Sequence, residues 1–155
     1  MELDGKRVLV TGGAGFIGSN VVRELLTSDV AQVVVYDNLA RGKLEYLESQ
    51  FEDSRCALYP HGGDIRNPDL LHDAMQGMDA VVHLAAMWLL HCKDFPRTAF
   101  AVNVEGSFNV LEACIATGTH YLDITGEIAI FEAHRGLDRR ARDAGIRDRW
   151  RDNSP

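Results

Sequence analysis

The octapeptide Thr11–Gly18, TGGAGFIG, constrains this chain more than any other feature. Gly13, Gly15 and Gly18 satisfy G-x-G-x-x-G, while Gly12, Gly15 and Gly18 form a three-residue repeat. Ahead of it, Arg7–Thr11 is a short Val/Leu run of the kind buried on both faces of a sheet. Behind it, Ile17, Val21, Val22, Leu25 and Leu26 form a helical stripe over Phe16–Thr27. Glycines between a buried strand and a helix allow a tight turn. They also bring main-chain N–H groups and the positive helix end to where a pyrophosphate could sit. The expectation is a dinucleotide site.

The same alternation continues. Strands are predicted at Gln32–Tyr36, Ala57–Pro60, Ala80–Leu84 and Tyr121–Thr125. Helices are predicted around Leu44–Phe51, from Pro68 behind an Asn67 cap, over Arg97–Thr117 and over Ile128–Ala144, with Gly145 as a stop. Repeated β-α units imply a parallel sheet covered on both faces, with ligands at the carboxyl ends of its strands. The fold expected is α/β, a Rossmann-type doubly wound parallel sheet of about five strands. It is truncated before a sixth strand, because RDRWRDNSP is too polar to supply one. Residues 1–146 then form one domain and residues 147–155 a polar tail, while residues 132–155 as a whole are net basic.

A net charge of −7 disfavours nucleic acid and anionic membrane as partners. Cys56, Cys92 and Cys114 lie far apart without metal-ligand spacing, so no metal is expected. The charged start of the chain and the lack of a long apolar run point to a cytoplasmic protein.

Asp37 ends the second strand, 19 residues after Gly18. A carboxylate there accepts the adenosine ribose hydroxyls and favours NAD, with Arg41 and Lys43 able to soften the preference. Asp64, in Gly62–Arg66 after the third strand, could meet an adenine edge or simply cap a turn. In His83–Leu84–Ala85–Ala86 the small residues permit close passage of a dinucleotide, while His83 reads as a packed residue.

Together these stretches, with FAVNVEGSFNVLEAC, closely resemble the extended short-chain dehydrogenase/reductase family, and in it the NAD-dependent sugar-nucleotide epimerases and dehydratases, over about residues 6–115. The resemblance implies that Gly12, Gly15, Phe16, Ile17 and Gly18 line the pyrophosphate and that Asp37 and Asn38 hold the ribose. It further implies adenine at Asp64 and Ile65, passage of the cofactor over Leu84, Ala85 and Ala86, a bracing role for Asn103, and substrate near Trp88. A nucleotide sugar and a homodimer, paired through helices 97–117 and 128–144, are the partners implied.

The family's Tyr-x-x-x-Lys base is missing. Four residues after Tyr36, Tyr46, Tyr59 and Tyr121 stand Ala40, Gln50, Gly63 and Thr125, and the lysines are Lys6, Lys43 and Lys93. Residues 120–144, beginning HYLDITGE, instead resemble saccharopine dehydrogenase-like oxidoreductases, a junction typical of a recombined, frame-shifted or built chain. The leading expectation is an NAD(H)-binding domain without chemistry of its own. The alternatives are an active epimerase or oxidoreductase with a base such as His91, Asp123 or Glu127, aided by Thr125, and a structural dimerisation module.

Overall fold

A computed structural model describes residues 3–124 together with Arg140, Asp143 and Gly145. Five strands are present: β1 (Arg7–Thr11), β2 (Gln32–Tyr36), β3 (Cys56–Leu58), β4 (Ala80–His83) and β5 (His120–Asp123). They form one sheet in the order β3-β2-β1-β4-β5, every pairing parallel. Thr11, the last residue of β1, lies beside Tyr36 on one neighbour and His83 on the other. The chain therefore turns off to opposite sides of β1, which opens a crevice at the carboxyl ends.

Alternation along the strands sorts the core into two layers. Val8 and Val10 of β1, with Val33 and Val35 of β2, bury against Val22 and Leu25 of α1 (Phe16–Leu26). Leu9 and Tyr36 point the other way, onto Leu71 of α2 (Pro68–Ala74) and Val110 and Cys114 of α5 (Ser107–Thr117). Both β1 and β2 are thus apolar on both faces, as their unbroken Val/Leu runs required.

Where local signals are strong, sequence and structure coincide: Asn67 caps α2, its Oδ1 accepting the Leu70 N–H at 3.2 Å. Three expectations need correction. The helix expected around Leu44–Phe51 is a single 3-10 turn, Leu44–Leu47; only Leu47 there is buried, so a longer helix would have no stripe to dock. The helix expected over Arg97–Thr117 begins at Pro96 and is broken into α4 (Pro96–Phe100), a π-helical stretch (Ala101–Gly106) and α5. The loop ahead of it contains α3 (Leu89–Asp94), which buries no residue; Leu89 is 81% exposed, so apolar periodicity had nothing to register. Strands β3, β4 and β5 also end one or two residues earlier than expected. The helix expected over 128–144, Thr125, Glu127 and the tail 147–155 lie outside the described residues, apart from Arg140, Asp143 and Gly145; Arg140 forms an ion pair with Glu112 of α5. Gly145 has a left-handed φ of 74°.

Asp79 fastens the amino ends of two strands, accepting the Arg7 N–H at 2.9 Å and the Lys6 ammonium at 3.1 Å. The hydrogen bond from the Arg7 main chain, followed by that from Lys6, holds its carboxyl below the usual carboxylate range. A depressed folded-state pKa adds stability above the unfolded value, and that stability is lost as pH falls through the folded value. We expect acid titration below about pH 4 to destabilise the wild type more steeply than Asp79→Asn, read as the urea midpoint against pH.

Candidate dinucleotide site

The glycine turn is wedged between the exits of β2 and β4. The Gly12 N–H donates to the Tyr36 carbonyl at 2.9 Å, and a Cβ on Gly12 would lie 2.8 Å from the Ala85 nitrogen, at a φ of 70° that disfavours side chains. Gly18 is equally enclosed: its Cβ would sit 2.1 Å from the Gly12 oxygen. Gly15 differs, since an added Cβ would meet only the Gly12 oxygen, at 3.2 Å. It is the N-cap of α1, no side chain caps the helix, and its first turn carries no acidic residue. The opening amides of α1 therefore face an uncapped helix end with room before it, the arrangement that binds phosphate. Phe16 and Ile17 border that room, and Phe16 is 78% exposed.

Asp37 secures the turn from β2. Its Oδ2 accepts the Ala14 N–H at 3.0 Å and its Oδ1 the Leu39 N–H at 2.8 Å. The Asn38 Oδ1 accepts the Ala40 N–H at 3.0 Å, and the Lys43 N–H returns to the Ala14 carbonyl at 2.9 Å. Each carboxylate oxygen retains a lone pair for a hydroxyl donor. Gly63 presses its main chain on that of Asp37, where a Cβ would lie 2.1 Å from the Asp37 nitrogen.

Beyond Asp37 opens a cleft of about 430 Å³ lined by Asn38, His61, Gly63, Asp64, Asn67 and Leu70. The side-chain hydrogen bond from Arg66, which also lines the cleft, holds the Asp64 carboxyl below its ordinary range. The Ile65 side chain is buried in the core and packed against Gly106.

On the far side, Leu84 and Ala85 are pinned by Thr11, whose hydroxyl accepts their N–H groups at 3.2 and 3.3 Å. Thr11 Oγ1 lies 2.7 Å from His83 Nδ1, and His83 Nε2 lies 3.0 Å from Ser107 Oγ, which donates to the Asn103 carbonyl at 3.0 Å. Since the Ser107 hydrogen is committed, the donor inventory assigns the His83 proton to Nε2 and leaves Nδ1 to accept from Thr11. His83 is thus a buried structural link, as its packed position suggested. Asn103 also clamps Met87, accepting its N–H at 2.7 Å and donating to its carbonyl at 2.9 Å. Thr11, Ser107 and Gly63 were invisible as supports in the sequence, because their partners are tens of residues away.

Gly12, Gly15, Phe16, Ile17, Gly18, Asp37, Asn38, Asp64, Leu84, Ala85 and Ala86 are thus gathered along the carboxyl edge of the sheet. Of the catalytic candidates, Asp123 also ends a strand, β5, beside His83 of β4. His91 stands on α3 with its ring edge-on to Trp88, centroids 5.6 Å apart. The Tyr121 hydroxyl donates to Asp123 at 2.6 Å within β5. Burial, above all, raises the Tyr36 hydroxyl above its ordinary value and pushes Tyr59 up to about 12, so neither suits a tyrosinate base.

The model of the 3-beta hydroxysteroid dehydrogenase/isomerase family matches residues 9–135. A mouse 3 beta-hydroxysteroid dehydrogenase type 7 is 34% identical over 124 residues, 79% of this chain and 32% of that protein. A UDP-N-acetylglucosamine 4,6-dehydratase from Campylobacter jejuni is 32% identical over 74% of this chain and 34% of its own length. Among solved structures, the dTDP-glucose 4,6-dehydratase DesIV from Streptomyces venezuelae, determined with NAD bound, aligns with a TM-score of 0.70 at 34% identity, over 74% of this chain and 38% of that one. The chain spans about a third of the length of the curated relatives it matches. These matches lend no support to the saccharopine dehydrogenase-like resemblance over residues 120–144; the family model that matches extends to residue 135.

The geometry separates the glycines by role. Gly15→Ala should fold with a melting temperature near wild type, whereas Gly18→Ala and Gly63→Ala, each driving a Cβ into main chain, should lose at least about 2 kcal/mol in urea unfolding.

Proposed function

The chain belongs to the 3-beta hydroxysteroid dehydrogenase/isomerase family, and from that premise we propose that it binds NAD(H) in the crevice at the switch point of its sheet. The observation that carries this reading is the uncapped amino end of α1 behind Gly15, flanked by Asp37 on one side and Ala85 on the other. In it, Gly12, Gly15, Phe16, Ile17 and Gly18 hold the pyrophosphate and Asp37 and Asn38 the ribose. The adenine takes the cleft beside Asp64 and the Ile65 main chain, and Leu84, Ala85 and Ala86 underlie the remainder. Bound there, NAD would supply hydride acceptance and donation.

The relatives differ in what their names say they act on, yet each matches this chain over a similar third of its length. We take the shared part to be the cofactor-binding one, and the reading extends no further toward a steroid or a nucleotide sugar. Without a Tyr-x-x-x-Lys base, the isolated chain is proposed to be catalytically silent. A positioned general base contributes about 10² to 10⁴-fold, and none of His91, Asp123 or Tyr121 is arranged as one. The three cysteines are free, which supports a reducing, cytoplasmic setting. No described helix is long and apolar enough to cross a membrane. For a homodimer through the α4–α5 run, Phe100 is an exposed apolar side chain available to bury, whereas Leu111 already belongs to the domain's own core.

NAD at ~100 times its dissociation constant should add about 2.7 kcal/mol, raising the melting temperature by roughly 5–10 °C. Gly15→Val should abolish the rise in a folded protein, and the absence of any rise in the wild type at millimolar NAD sinks the assignment. NADP should bind at least about tenfold more weakly, because a 2′-phosphate ~4 Å from the Asp37 carboxylate meets a repulsion of about 4 kcal/mol at an effective dielectric of 20.

A further inference from the structure

Arg41 and Trp88 come from opposite sides of the crevice, one from the loop after β2 and one from the loop after β4, and they meet. The Arg41 guanidinium carbon lies 4.6 Å from the centroid of the Trp88 ring, whose other neighbour is the edge of His91. Both ends of this contact are anchored. The Arg41 loop is tied down through Asp37, Asn38 and the return of Lys43 to Ala14. Trp88 directly follows Met87, whose N–H and carbonyl are both held by Asn103.

Arg41 has a second potential client close by. Gly42, its neighbour in the chain, lies so near the Asp37 carboxylate that a Cβ on it would be 2.8 Å from Oδ1 and 2.9 Å from Oδ2. A guanidinium released from the tryptophan would thus be near any phosphate attached beside that carboxylate. Among the described residues no cation forms an ion pair with Asp37.

We propose that Trp88 sets cofactor selectivity at a distance, by holding Arg41 in a cation–π clasp that withholds it from the ribose 2′ position. The inference rests on the dinucleotide reading given above. An arginine in this loop would ordinarily accommodate a 2′-phosphate and erode the preference that Asp37 confers. Here NADP must first break the clasp to recruit it, whereas NAD, with nothing for the guanidinium to pair at the 2′ position, leaves the clasp closed. The penalty on NADP equals the clasp's own closing constant, about two- to fivefold for a cation–π contact at an exposed site. Trp88 is in this account a specificity residue that touches Arg41 rather than the cofactor, and it is 43% exposed, so its ring is not part of the core.

The test is calorimetric titration of NAD and of NADP into wild type, Trp88→Ala, Arg41→Ala and the double variant, each first shown to melt cooperatively. Trp88→Ala should raise NADP affinity about two- to fivefold with a smaller change for NAD, and adding Arg41→Ala should remove that gain. Trp88→Leu, which keeps apolar bulk without a π face, should behave as Trp88→Ala and serves if the alanine variant does not fold. A second readout needs no cofactor: with Trp150→Phe leaving Trp88 as the one tryptophan, Arg41→Ala should change its emission. Unaltered NADP affinity in both Trp88 variants, a gain that survives loss of Arg41, or an unaltered emission overturns the clasp while NAD binding stands. A wild type that binds neither cofactor overturns the proposed function, and this inference with it.

Discussion

The interaction on which the rest depends is the acceptance of the Ala14 N–H by the Asp37 carboxylate, across 23 residues of sequence. It joins the turn after β1 to the exit of β2, and the Gly12 N–H bond to Tyr36 joins them a second time. A turn fixed twice to one neighbour and pressed on Ala85 of the other cannot accommodate a Cβ at Gly12 or Gly18. Gly15 remains the one glycine of the repeat whose added Cβ would meet a single atom, the Gly12 oxygen at 3.2 Å. The same constraint that closes the turn therefore leaves its outer rim, and the amides behind it, available to an anion.

A second set of contacts keeps the opposite wall still. From Leu84 and Ala85 the hydrogen bonds pass through Thr11, His83 and Ser107 to the Asn103 carbonyl, and from the Asn103 side chain to Met87. The π-helical stretch Ala101–Gly106, which contains Asn103, departs from regular α-helical register where a single residue bonds in two directions. π-Insertions often appear where a side chain must be delivered to a functional wall. In this chain the stretch carries Asn103, which holds Met87 just beyond the β4 exit.

Much of this was legible without coordinates. Five strands and the helices between them follow from apolar runs bounded by glycine, proline and asparagine, because strands buried on both faces need uninterrupted Val and Leu. Gly15, Asp37 and Asn38 could be singled out as candidates because their spacing is local to one β-α-β unit. The 3-10 turn at Leu44–Leu47, the exposed α3 and the π-helical break were not, since none carries an apolar period of its own. The place of the Ile65 side chain was not legible either, because Gly106, 41 residues on, opens the space that it fills.

The sequence by itself determined the type of domain, the order of its strands and the glycine turn between β1 and α1, because each is written in neighbouring residues whose spacing only one local geometry satisfies. Counting also shows that these 155 residues contain no Tyr-x-x-x-Lys pair. Tertiary structure decided what the remaining side chains are for. Thr11 accepts two main-chain amides, His83 links two hydroxyls, Gly63 yields to Asp37, and Arg41 rests on Trp88, all through partners at least 24 residues distant in the chain. Such pairs form only where a folded sheet brings separate loops to one edge, and no spacing rule along the chain encodes which loops those are.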